Sequence, residues 1–243
     1  MKSILIKEIH AFFSSLIGFL AIGIFVGITG FMIWFFPTYS VLNYGYSSLE
    51  MFFSLAPILL LIIIPAITMR LLSEEKQSGT IEWIFTKPLT DWDIILGKYL
   101  ASIVLIIISL LPTLIYYFSI YQLGLPKGNI DNGGVMGSYM GLIMLSGVFC
   151  AIGLFASSAT NNQIVAFIMA AVLSAFCFWG FDLVSNFASF DGMPEYILKN
   201  IGISYHYDSI SRGVLDTRDV VYFGSVIFLF LYFTFYNLEK RKY

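Results

Sequence analysis

Side chains able to do chemistry are few in this 243-residue chain, and they are unevenly placed. It has two histidines, His10 and His206, and two cysteines, Cys150 and Cys177. A metal centre needs ligands that converge, and acid–base catalysis needs titratable groups within reach of the reacting atoms. No HExxH or GxSxG sequence occurs, and both cysteines sit inside apolar runs. The one Gly-Lys pair, Gly97-Lys98, is followed by Tyr99 and has Trp92 where a phosphate-binding loop would open with glycine. The chain therefore has no route to ATP hydrolysis through such a loop. If ATP drives it, another subunit binds the nucleotide.

The densest charge lies between Arg70 and Lys98, where Glu74, Glu75, Glu82, Asp91 and Asp93 outnumber Arg70, Lys76, Lys87 and Lys98. A segment that only anchored to anionic lipid would favour Lys and Arg, so the mixture of signs suits a protein partner. Its backbone signals are consistent with a compact scaffold. Gly79 can end one helix, and Ile81, Ile84 and Phe85 mark one face of a short second one that Pro88 stops. Thr90 then caps a third, with Asp91 and Asp93 in the first turn, where the helix dipole favours negative charge.

The elements that carry this segment are apolar. Hydrophobic residues make up 58% of the chain and charged residues 12%, about half the charge of a typical soluble domain. A bilayer core of about 30 Å takes roughly 20 apolar residues as helix, because each backbone amide must be satisfied within the segment. Six stretches meet that test, at 16–36, 51–69, 95–123, 137–155, 164–184 and 220–238, so the fold class is an all-α integral membrane protein with six transmembrane helices. Lys2 and Lys7 precede the first run as in a signal peptide, but the run continues to Phe36 without a small-residue cleavage site. Residues 1–15 read as an amphipathic interfacial helix, with Leu5, Ile6, Ile9, Phe12, Phe13 and Leu16 on one face and Ser3, Lys7, His10 and Ser14 opposite.

With the N-terminus in the cytoplasm, Lys2, Lys7, Arg70, Lys76, Lys87, Lys98, Lys240, Arg241 and Lys242 are also cytoplasmic. These are nine of the thirteen basic residues, and they favour both termini inside. Lys127, Lys199, Arg212 and Arg218 fall outside, and the two histidines then lie on opposite sides of the membrane. Asp182 is the one acid within an assigned span, near the outer end of the fifth, where solvation or a local hydrogen bond accounts for it better than a proton relay. Ion-coupled transport and intramembrane catalysis need more polarity at mid-depth than this.

The 70–98 run resembles the first cytoplasmic loop of the ABC-2 type transporter permeases. That pattern of an arginine, a Glu-Glu-basic triplet, Gly-Thr, a glutamate, a proline and a closing Gly-Lys is met by Arg70, Glu74, Glu75, Lys76, Gly79, Thr80, Glu82, Pro88, Gly97 and Lys98. The resemblance extends to Ser157-Ser-Ala-Thr-Asn-Asn-Gln-Ile-Val-Ala166 and to the run from His206 to Phe223, and comes nearest to the gliding-motility permeases of the family. It implies a non-catalytic permease of a bacterial inner-membrane transporter. It also implies that residues 70–94 hold a coupling helix that docks on a separate ATPase, with Arg70, Glu74, Glu75, Lys76, Gly79, Thr80, Glu82 and Lys87 as the coupling residues. ATP and magnesium would bind to two copies of that ATPase and no cofactor to this chain, and no nucleic acid is implicated.

The family further implies a second permease half, as a homodimer or as a heterodimer with a gliding-type membrane subunit. Gly23-x-x-x-Gly27, and likewise Gly137-x-x-x-Gly141, has spacing that permits close helix approach. Gly23 and Gly27 are the candidates for dimer packing. The outer segment, 185–219, is marked as partly helical by Pro194, Ile197, Leu198 and Ile201, and in the family its counterpart closes the exit path, which makes Tyr205, Tyr207 and Arg212 gate candidates. Asp216 could equally cap the sixth span as part of a plain connector. Only residues 37–50 join the first two spans, too few for the large outer domain of many exporters. A second reading is a mechanical or scaffold subunit, in which ATP-driven helix motion acts on an outer protein.

Overall fold

The computed structural model describes residues 1–38, 40–41, 47–187, 193–214 and 216–240, leaving aside the side chains of 17, 186–187 and 194–197. Arg241 and Lys242, and the side chains of Pro194 and Ile197, lie outside that description. Among the described residues there is no strand. Six helical stretches are long and apolar enough to cross a membrane: Gly18–Phe35, Glu50–Gln77, Asp91–Leu123, Asn132–Ala159, Gln163–Ser185 and Thr217–Glu239.

In chain order, α1 (Lys2–Phe13) turns at Ser14 and Ser15 into α2 (Leu16–Phe35), whose first turn is capped by Ser15 Oγ accepting from Gly18 N–H at 3.3 Å. The second span is α3 (Glu50–Thr68), and α4 (Arg70–Gln77) follows it after one residue. A short α5 (Ile81–Phe85) then leads into α6 (Asp91–Leu110). The third span is not the single helix that 95–123 predicts. A 3-10 turn, Leu111–Thr113, separates α6 from α7 (Leu114–Leu123), because Pro112 has no N–H to donate and its ring crowds the preceding turn.

The fourth span is α8 (Asn132–Ala159), and the fifth is α9 (Gln163–Ala175) with a π turn, Phe176–Gly180, before α10 (Phe181–Phe187). The outer segment folds as α11 (Met193–Ile201) and α12 (Ile203–Ile210), and α13 (Thr217–Glu239) is the sixth span. Asp216 does cap α13, its Oδ1 accepting from Arg218 N–H at 3.0 Å.

The long α8 is the hub, packed against α3, α6, α9 and α13. Its residues from Leu145 to Leu154 are buried without interruption, including Phe149, Cys150 and Ile152. Lipid chains are as apolar as leucine, so close packing rather than water exclusion must hold such helices together. Small residues supply it: a Cβ on Gly153 would sit 2.0 Å from Thr68 Oγ1, and one on Gly147 3.1 Å from the Tyr99 hydroxyl. Gly137 and Gly141 serve the chain's own fold, lying against Gly213 and Ile210.

The outward surface is apolar where lipid would meet it. Phe19, Phe31 and Phe35 of α2, Ile168 and Val172 of α9, and Phe228 and Tyr232 of α13 are all exposed. Some hydroxyls inside the bundle bond back to their own helices, as Ser109 does to the Leu105 carbonyl and Ser146 to that of Leu142. Asp182 likewise finds a local partner, accepting from the Ser204 hydroxyl.

The N-terminus meets the start of α6, and the last turn of α13 meets α4 and α5. Met1 N lies 3.8 Å from Asp93, Leu238 is buried with Leu72, Ile81 and Ile95, and Asn237 Nδ2 donates to Ser158 Oγ at 3.0 Å. The helix α1 runs along α6, from Ile4 against Gly97 to Phe12 beside Leu105, and buries Ile4 rather than Ile6 of the expected apolar face.

Candidate functional site

The site begins with the break after α3. Because α4 starts afresh, its first backbone N–H groups have no partner within the helix. Ser157, near the end of α8, supplies one: its Oγ accepts from Leu72 and Ser73 N–H, both at 3.0 Å, and donates to the Met69 carbonyl at 2.9 Å. Lys76 reaches the Ser158 carbonyl from the other end of α4. One hydroxyl and one ammonium thus fasten α4 to α8.

The elbow then closes on two local devices. Gly79 adopts φ +71°, the left-handed conformation that a side chain resists, and reverses the chain into α5. Thr90 and Asp93 form the capping box of α6: Asp93 N–H donates to Thr90 Oγ1 at 3.2 Å, and Thr90 N–H to Asp93 Oδ2 at 3.2 Å. Between them Ile81 is buried, whereas Trp83 is 77% exposed.

Beneath the elbow lies a fully buried lysine. Lys98 has no solvent exposure, and its Nζ reaches Glu8 Oε1 at 2.7 Å, Glu75 Oε2 at 2.8 Å and the Leu71 carbonyl at 2.5 Å. An ammonium has three protons; it donates to Glu8 Oε1 and the Leu71 carbonyl and holds the Glu75 carboxylate at ion-pair distance, so acceptors from α1 and α4 meet a lysine of α6. Glu75 uses its other oxygen, Oε1, for Lys7 Nζ at 2.6 Å, and Lys7 also lies 3.6 Å from Glu8. Two cations and two carboxylates make the cluster neutral, which is what allows it to be buried. Burial opposes the charge on Lys7, but the hydrogen bond and attraction from Glu75, with the Glu8 carboxylate behind it, outweigh that and hold the ammonium above its ordinary value.

The predicted coupling residues therefore divide into two sets. Glu75, Lys76 and Gly79 build the scaffold. Arg70 and Glu74 pair with each other on its flank, Nε to Oε2 at 2.8 Å and Nη2 to Oε1 at 3.3 Å. The hydroxyl of Thr80 meets that of Ser78 at 2.9 Å, and Thr80, Glu82 and Lys87 are exposed. Thr80 and Lys87 also line a groove of about 530 Å³ between α1 and the elbow, together with Ile4, Lys7, Trp83 and Ile84.

Sequence reasoning did not pair Lys7 and Glu8 with this region, and it treated Lys98 as a cytoplasmic charge. The available signal was positional. Lys98 falls on the stripe of Ile95, Ser102 and Leu105, all buried, and Glu8 stands one turn after the buried Ile4.

The proposed gate residues do not converge. Tyr207 points inward and donates to the Phe53 carbonyl at 2.7 Å, while Tyr205 is 44% exposed beside His206. Arg212 Nε donates to the Asp208 carbonyl at 3.1 Å and borders a cavity of about 420 Å³ with Glu50 and Asp131. Gly23 and Gly27 lie on an open face of α2, where an added Cβ would have no neighbour within 4 Å.

Six apolar spans, packed on a glycine-rich hub that is one of them, define a multi-pass membrane protein. Residues 13–195 match the family profile described as "ABC-2 family transporter protein". The chain belongs to this family, and so is the membrane component of a transporter. No curated protein matches it in sequence.

Proposed function

We propose that the chain is the membrane-spanning permease subunit of an ATP-driven exporter, moved by a separate ATPase that docks on the elbow from Arg70 to Lys87. The observation that carries this reading is the buried Lys98 cluster. It joins α1, α4 and α6 beneath the exposed Glu82 and Trp83 and the flanking Glu74, so a push on the elbow is passed to the first three spans together. The basic residues favour a cytoplasmic elbow and cytoplasmic termini in a bacterial inner membrane. Two ATPase copies carrying ATP and magnesium, and a second permease half, complete the assembly. Within the family the short 37–50 connection and the 157–166 and 206–223 runs favour the gliding-motility branch.

Docking is tested without disturbing the scaffold by the triple variant E74K/E82K/W83A, since Glu82 and Trp83 are exposed and Glu74 sits on the flank. From native membranes the wild-type chain should bring down an ATPase that the variant loses, both proteins being equally stable. Undiminished copurification and unchanged ATPase stimulation would refute docking at this face.

A further inference from the structure

At the end of the bundle opposite the elbow, His206 is held by both ring nitrogens. Nδ1 lies 2.7 Å from Asp219 Oδ1 on α13, and Nε2 lies 2.9 Å from the Asn200 carbonyl at the end of α11. The ring stacks on Tyr222, centroid to centroid 3.9 Å, and the Tyr222 hydroxyl donates to the Ile201 carbonyl at 2.5 Å. Both partners are well covered, with side-chain exposures of 13% for His206 and 9% for Asp219.

A carbonyl oxygen only accepts, so Nε2 must carry a proton. A carboxylate also only accepts, so the short Nδ1 contact needs a second proton between ring and acid. A neutral ring beside an ionised Asp219 is one proton short, and two lone pairs would then face each other at 2.7 Å. The geometry points to His206 with Asp219 as a proton-binding site: the bound proton latches α11 and α12 to α13, and its release to solvent unfastens the outer end of the bundle.

The surroundings fit a site that holds one positive charge. Besides Asp219 and Tyr222, α13 carries the exposed Arg218, and α11 carries Lys199 next to Asn200. On α12 itself stand Tyr205 and Asp208, and the fifth span contributes Asp182 and Cys177 to this end. The hub helix α8 meets α12 and the turn after it through Gly137, Ser138 and Gly141, none of them titratable. The carboxylate in hydrogen-bond contact with the ring is thus Asp219. Neither His206 nor Asp219 falls within the 13–195 family match.

The sign follows from the hydrogen bonds. The latch is made while the ring is charged and is lost as pH rises and the ring gives up its Nδ1 proton. An Asp219→Asn variant keeps both bonds with a neutral ring, because the amide can donate to Nδ1, so it should remain latched without pH dependence.

The test uses the whole chain purified in lipid nanodiscs, with nitrogen-15 histidine. His10, exposed on α1, is the only other imidazole and serves as the internal reference. The wild type should show a doubly protonated His206 ring whose deprotonation coincides with faster amide exchange over residues 199–206, by about 10- to 100-fold, the value of one charge-assisted hydrogen bond. In Asp219→Asn that acceleration should vanish while the slow exchange stays. A singly protonated His206 from about pH 5 to about pH 9, or exchange that ignores its titration, would overturn the proposal. So would a variant that keeps the wild-type pH dependence.

Discussion

Lys98→Met is the sharpest test of the buried cluster, because methionine nearly matches the volume of the lysine stem and removes only the charge. The loss leaves Glu8 with Lys7 at 3.6 Å as its remaining cation, and it strips Glu75 Oε2 and the Leu71 carbonyl of the ammonium they share. The side chains of Glu8 and Glu75 are only 12% and 10% exposed, so water cannot replace what is lost. Breaking a buried pair from one side costs about 3–5 kcal/mol. At about 2–4 °C per kcal/mol for a chain of this size, that is a drop of roughly 6–20 °C in melting temperature. Lys7→Met should cost only about 0–1 kcal/mol, since its side chain is 57% exposed and Lys98 remains in contact with both acids. The double variant E8Q/K98M should recover part of the loss, because it no longer strands two carboxylates around one partly exposed lysine. Thermal unfolding of the purified chain in detergent reads all three. A Lys98→Met protein that melts with the wild type would refute the claim that this cluster bears on stability, and a Lys7→Met protein that falls as far would refute the greater weight given to the buried Lys98.

Gly153→Ala and Gly23→Ala should behave in opposite ways. At 153 the added methyl would fall 2.0 Å from the fully buried Thr68 Oγ1, for an overpacking cost of about 1–3 kcal/mol. At 23 nothing lies within 4 Å, so the same detergent melt should show no loss and a gain of up to about 1 kcal/mol from helix propensity; a dimer that dissociates in Gly23→Ala would mark this face as the packing surface. Asp216 supplies a pH test. The Arg218 N–H bonded to its carboxylate holds it below the ordinary carboxylate value, so its contribution is present above that value and lost as pH falls through the lower folded one. Asp216→Asn, which keeps the cap uncharged, should flatten the acid limb of the stability profile, and an unchanged limb would remove the cap from the account.

How much of this was legible depended on whether the cause was local. Apolar runs of membrane-crossing length announce themselves, so six spans could be placed from hydropathy alone. So could Gly79, Thr90 with Asp93, and Asp216, because a left-handed turn and an N-cap are decided within four residues. Pro112 carried its signal too, but an apolar run masks a break in helical geometry. The π turn at Phe176–Gly180 has no comparable marker and was invisible. The cluster was hidden for a different reason. Lys98 and Glu8 are 90 residues apart and Lys7 and Glu75 are 68 apart, and neither pairing has any consequence until α1 lies along α6. Likewise Ser157 acts as a cap in trans, satisfying a helix start 84 and 85 residues away.

The distribution of polarity constrains how a force could travel through the molecule. From Leu145 to Leu154 the hub α8 is buried without interruption and meets α3 and α6 across glycines, where a displacement of even a methyl's width has nowhere to go. Such a region moves as a body or not at all. The ends differ: one is fastened by a cluster of four charges that includes Lys98, the other by His206 bridging Asn200 and Asp219 beside the neutral bond from Tyr222 to the Ile201 carbonyl. Charge-assisted bonds are directional and break discretely, unlike apolar contacts, which slide. A helix bundle fastened this way has its conformational choices at its two rims, with a rigid middle to connect them. On the proposed coupling, a movement imposed at the elbow would reach the opposite rim as a tilt of packed helices, and that rim would yield according to the state of its own fastening.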